Sequence, residues 1–166
     1  FRPQNYGFFS LLLHDNPVIS GNDSKDNGQT NHKMLDFSTI EQFDKIATPF
    51  YYYDVELLER TIATVKAEAA RFGNFDVHYA IKANFNPRLL KIMADAGLGA
   101  DCVSGGEVVA ALEAGVPASK IVFAGVGKTD KEIALALDAG IFCFNAESVP
   151  ELEAIEALAA ERGVVA

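Results

Sequence analysis

The chain contains no tryptophan, two cysteines, two methionines and three histidines among 166 residues, and its 14 lysines and arginines are outnumbered by 23 aspartates and glutamates. The two cysteines, Cys102 and Cys143, sit inside apolar runs with no ligand-type neighbours at metal spacing, which excludes a disulfide scaffold and a zinc knot. Both are expected to be reduced, buried and chemically inert, as in the cytoplasm. A net charge of −9 works against phosphate backbones and anionic membrane surfaces, because the long-range field repels both. The longest N-terminal apolar patch, Tyr6–Leu13, is far shorter than the ~20 residues needed to cross a bilayer. A small soluble substrate, with neither nucleic acid nor membrane as partner, is the expectation that remains.

What is present is 49% apolar sequence, enough for one core. Residues 1–33 stand apart. After the short apolar patch, Asn16 to Lys33 is rich in Asn, Asp, Gly and Ser with no period of 2 or 3.6, so this stretch is expected to be an extension without fixed structure. Met34 opens the patterned sequence and is a plausible native start, leaving 1–33 as an extension, a tag or upstream read-through.

From Phe50 onward the chain repeats itself. Apolar runs centred near Tyr79, Asp101, Val122, Cys143 and Val165 recur about every 21 to 22 residues, with helix-like stretches between them. Val55, Leu58, Ile62, Val65, Ala69 and Phe72 define one face of a helix, preceded by an expected strand over Phe50–Tyr53. Further helices are expected over 87–96, 105–114, 130–139 and 149–161. Alternating strands and helices predict a parallel sheet covered by helices. A leucine-rich repeat has a similar period but demands a motif absent here. A dinucleotide fold needs a glycine fingerprint after its first strand, and Gly97-Leu-Gly-Ala-Asp-Cys102 precedes a strand and has cysteine at the third glycine position. Gly125-Val-Gly-Lys-Thr129 ends like a phosphate loop, but Val122 stands where the first glycine belongs, and Lys128 is expected to be an ordinary loop residue. A (β/α)8 barrel of TIM type fits best, with four units and a fifth strand from Val164 making its N-terminal half, 34–166 forming the partial domain.

Ser104-x-x-Glu107, Thr129-x-x-Glu132 and Ser148-x-x-Glu151 are capping-box patterns, and Asn86-Pro87 is an N-cap followed by proline. Helix N-termini at the C-terminal face of the sheet would also suit a phosphorylated ligand. Lys82 ends the run His78-Tyr-Ala-Ile-Lys82 at that same face, where barrel enzymes place catalytic groups. Burial at the edge of an apolar interior would favour its neutral, nucleophilic amine. By period two His78 shares the side of Ala80 and Lys82, as a core or supporting residue.

Tyr79-Ala-Ile-Lys-Ala-Asn84 and Gly99-Ala-Asp-Cys-Val-Ser-Gly-Gly-Glu107 resemble the cofactor-lysine motif and the following strand and loop of the alanine-racemase-like decarboxylases that use pyridoxal 5'-phosphate (PLP). Within that class Thr48-Pro-Phe-Tyr-Tyr-Tyr-Asp54, Ile121-Val-Phe-Ala-Gly-Val-Gly-Lys128 and Asn145-Ala-Glu-Ser-Val-Pro-Glu-Leu152 are similar to the diaminopimelate decarboxylases, over about residues 46–163. The resemblance implies that Lys82 carries PLP, that Asp101 is a catalytic carboxylate close to it, with Glu107 a weaker candidate, and that no metal takes part. It implies decarboxylation of meso-2,6-diaminopimelate to L-lysine by a homodimer, with the phosphate loop and several further site residues supplied by sequence beyond residue 166. Ornithine and arginine decarboxylases share the lysine motif and are the alternative, as is a non-catalytic PLP-binding relative.

Overall fold

The computed structural model describes residue 41, residues 43–73 and residues 75–166, so the expectation for 1–33 lies outside the described residues. The chain divides into two compact units, with the boundary between Val55 and Glu56. In the first, the Phe43 ring meets Phe50 at 5.2 Å and Tyr52 edge-on at 5.3 Å, while Tyr51 and Tyr53 stack at 6.4 Å. Phe50–Tyr53 is not a strand, contrary to expectation. Its aromatic residues satisfy one another's rings, and among the described residues no ladder pairs with its backbone.

The second unit is built from βα repeats. Helix α1 (Val55–Phe72) precedes β1 (His78–Ala80), α2 (Pro87–Asp95), β2 (Gly99–Cys102), α3 (Gly105–Glu113), β3 (Ile121–Phe123), α4 (Asp130–Ala139), β4 (Cys143–Phe144) and α5 (Val149–Arg162). The four strands are parallel and lie in the order β1-β2-β3-β4. A doubly wound sheet reverses its order at a switch point, whereas a barrel adds each strand beside the last. The observed order is the barrel's.

Alternation along the strands divides the sheet into two faces. Tyr79, Ala100, Cys102, Ile121 and Phe123 are buried in one cluster with Leu89, Leu90 and Met93 of α2 and Val108 and Ala111 of α3. Leu58 and Ile62 of α1 join this cluster, while Val55 and Phe72, at the ends of its apolar stripe, are exposed. A second cluster sets Ile133 and Leu137 of α4 against Ile155 and Ala159 of α5. The other face carries His78, Ala80, Gly99, Asp101, Val122 and Cys143, paired row by row across the strands. Its side chains are small or polar. Gly99 is required there because a Cβ would sit 2.1 Å from the His78 ring and 2.6 Å from the Lys120 carbonyl.

The fifth strand expected from Val164 is absent. The Val164 N–H donates to the Ala159 carbonyl at 3.1 Å, completing the cap of α5 around Gly163, and Val165 projects into solvent.

Candidate functional site

The first strand ends two residues earlier than the sequence suggests. Ile81–Ala83 form a single 3-10 turn, so Lys82 stands on a tight turn just beyond the C-terminal end of β1. Ile81 anchors the turn in the core at 1% exposure, and the Tyr79 hydroxyl donates to the Asn84 carbonyl across it at 3.2 Å. Asn84 Oδ1 accepts from the Asn86 N–H at 3.0 Å and fixes the way into α2. The backbone under Lys82 is therefore held on both sides, while its side chain is exposed rather than buried as expected. The reason is local: Ala80 and Ala83 are its small neighbours, and the uncovered face offers no bulky side chain to enclose it.

Asp101 pairs with Ala80 on one side and Val122 on the other. Neither neighbour offers a side-chain donor. Its Oδ1 is buried without a hydrogen-bond partner, and burial pushes the carboxyl above the usual aspartate range, with the charges of Lys82 and His78 pulling it partly back. His78 lies one row further from the loop end, half-buried, with its imidazole held below its ordinary pKa by desolvation. His78 and Asp101 share this face by alternation, and Lys82, on the turn beyond β1, is near enough for its charge to act on Asp101.

Glu107 is not free to join them. Its Oε2 accepts from the Val103 N–H at 2.7 Å, and Ser104 caps the Glu107 N–H at 3.2 Å. Glu132 completes a capping box with Thr129 and also accepts from the Gly105 N–H of the neighbouring helix at 2.9 Å. Asn86 and Ser148 cap α2 and α5. Each of these helices thus has one or two of its first-turn donors taken by a side chain.

Lys128 is a loop residue, as expected, but a buried and paired one. Its side chain is 1% exposed and its ammonium donates to the Gly125 carbonyl at 2.8 Å, the Asn145 carbonyl at 2.9 Å and Glu151 Oε1 at 2.7 Å. The Phe123 ring closes the site at 5.4 Å. All three N–H donors are used, so no lone pair is available for a carbonyl. Glu151, expected to close a capping box with Ser148, turns to Lys128 instead. Cys102 is inert as expected, its thiol pushed up to about 12 mainly by burial. Among the described residues no cluster of metal-ligating side chains occurs, and no helix is long and apolar enough to cross a membrane.

The orphaned Asp101 oxygen beside an exposed lysine leaves a polar group for a ligand to satisfy and an amine for it to bond, as a pyridoxal cofactor would. Comparison with known proteins agrees. Residues 58–166 match the pyridoxal-binding domain of the pyridoxal-dependent decarboxylases. The chain is 56% identical over 127 residues to the diaminopimelate decarboxylase of Bacteroides thetaiotaomicron, covering 76% of this chain and 33% of that protein. For the Aquifex aeolicus enzyme the identity is 46%, over 76% of this chain and 29% of the relative. The crystal structure of the Helicobacter pylori enzyme with L-lysine superimposes with a TM-score of 0.71 at 41% identity, over 76% of this chain and 32% of that one. The chain thus spans about a third of the length of these relatives, and its four units are part of a TIM-type barrel. It belongs to the pyridoxal-binding-domain family of the pyridoxal-dependent decarboxylases.

Proposed function

We propose that the polypeptide carrying this chain is a diaminopimelate decarboxylase, a lyase that removes carbon dioxide from meso-2,6-diaminopimelate to give L-lysine. The observation that carries the proposal is the placement of Lys82 on a braced turn next to the unpartnered Asp101 oxygen, in a chain 56% identical to a named diaminopimelate decarboxylase. When bound, pyridoxal phosphate supplies the electron sink that takes the pair left behind as carbon dioxide departs. Lys82 would hold that cofactor through Nζ, on a side chain that is open to solvent. Asp101, its carboxyl raised by burial, retains a proton more readily than a surface aspartate and offers it to a ligand acceptor beside Lys82. His78, desolvated and lying beneath Asp101 on the same face, keeps that environment dry and weakly charged. The polypeptide is proposed to act as a homodimer in the cytoplasm on a small amino acid, with no nucleic acid or membrane as partner, consistent with the net charge of −9.

Borohydride reduction of the natural polypeptide loaded with pyridoxal phosphate should place a pyridoxyl group on the Lys82 peptide, and Lys82→Ala should lose it. Carbon dioxide should be released from meso-diaminopimelate, with ornithine and arginine turned over more slowly by a factor of about 10^4 or more, because a site built for a second amino acid head group leaves buried polar groups unpaired without it. An adduct on Lys91 or Lys128, or faster turnover of arginine, would overturn the assignment. Arginine is the informative competitor, since a viral arginine decarboxylase superimposes with a TM-score of 0.57 at 31% identity.

A further inference from the structure

We propose that Lys128 is a positioning residue of the site, and that it acts by holding Asn145 so that its side-chain amide joins Lys82 and Asp101 on the uncovered face. This rests on the pyridoxal-binding reading above. A buried ion pair is weak evidence for stability, since an apolar pair of similar volume often serves as well. What Lys128 contributes is geometry. Its ammonium gathers the carbonyl of Gly125 from the loop after β3, the carbonyl of Asn145 from the loop after β4, and the Glu151 carboxylate from the first turn of α5. Gly125 adopts φ +93°, a conformation that turns the loop back on itself and that side-chain-bearing residues rarely adopt. The two loops are thereby tied together over the ends of their strands.

Asn145 is fixed at both of its peptide groups. Its N–H donates to the Phe123 carbonyl at 2.9 Å, extending the ladder past Phe144, and its carbonyl accepts from Lys128. By period two its side chain shares the side of Cys143. Cys143 completes the row Ala80, Asp101, Val122, Cys143 across the sheet. Lys82 stands two residues beyond Ala80 in that row, and Asn145 two residues beyond Cys143. Lys82, on the 3-10 turn that follows β1, and Asn145 thus both stand just beyond the C-terminal ends of their strands, past the row that holds Asp101. An amide there both donates and accepts, and is suited to an anionic oxygen of the bound cofactor or amino acid.

The test uses the natural polypeptide and the variants Asn145→Ala, Lys128→Met and the double substitution. Asn145→Ala should weaken pyridoxal phosphate binding, read from visible absorbance, or raise KM, by about tenfold, with the melting temperature unchanged. Lys128→Met should produce the same shift, and the double variant should be no worse than Lys128→Met, because the first residue works through the second. Hydrogen exchange in the cofactor-free protein should quicken at 124–129 and 145–148 in Lys128→Met and not in Asn145→Ala. Unchanged cofactor affinity and KM in Asn145→Ala, whose half-buried position does not depend on the clamp variant folding, would overturn the proposal, as would additive effects in the double variant. A wild-type protein that forms no Lys82 adduct would overturn the parent reading instead, and the exchange experiment would still decide whether Lys128 holds Asn145.

Discussion

At the scale of single residues, Asp101 shows how a buried carboxylate works against stability. Its row neighbours Ala80 and Val122 leave one carboxylate oxygen buried without a donor, an arrangement that typically costs about 1–3 kcal/mol. The folded-state pKa is raised, so the protonated form is favoured by folding, and that stability is present in acid and lost as pH rises through the raised value. Asp101→Asn should therefore raise the melting temperature of the cofactor-free protein by about 2–4 °C at neutral pH, and the gain should shrink as the pH falls towards the ordinary aspartate range. A thermal-melt series across pH reads both parts; a gain that persists in acid would contradict desolvation of the carboxylate as its cause. The proposed roles of Lys82 and Asp101 come from the sequence, where each lies inside a short motif at or near a strand end. Lys128 was not legible there, because its meaning depends on Asn145 and Glu151, which only the fold brings within reach. Its local context, a lysine after two loop glycines, reads as surface.

At the scale of elements, strands and helices were legible because their periods differ and their caps are written in the sequence. Each of the four helices after the first starts at the capping residue expected of it. The error at Phe50–Tyr53 has a physical cause. A β-strand exists only with a partner, and apolar composition does not supply one. The bridging role of Glu132 was equally hidden, since its second acceptor oxygen serves Gly105, distant in sequence. The hydrogen bonds from Gly105 and Thr129 hold its carboxyl below the ordinary glutamate range. A depressed folded-state pKa stabilises above the unfolded value and loses that contribution as pH falls through the folded one. Glu132→Gln should thus lower the melting temperature at neutral pH, and the difference from wild type should close in acid. A difference independent of pH would mean that Glu132 acts through packing alone.

At the scale of the whole molecule, four strands in sequential order leave β1 and β4 each paired on one side among the described residues. The large apolar residues Ile81, Ile121 and Phe123 are fully buried beneath the helices. The uncovered face is small and polar instead. Unpaired backbone at the two edges remains a template for another chain. The isolated 166-residue chain is expected to self-associate at micromolar concentration and to bind pyridoxal phosphate poorly, as sedimentation with and without cofactor would show; a dispersed monomer with a cooperative melt would contradict this. The same strand order has a consequence for synthesis. Among the described residues every ladder joins a strand to the one before it, from β1 to β2 to β3 to β4, so these pairings form between consecutive segments. At about 5–20 residues per second, each unit of about 22 residues leaves the ribosome over roughly 1–4 seconds, long compared with the microseconds to milliseconds in which helices form and small segments collapse. A growing chain can therefore dock each unit on its predecessor before the next emerges, so that the newest edge advances with translation while the β1 edge stays open.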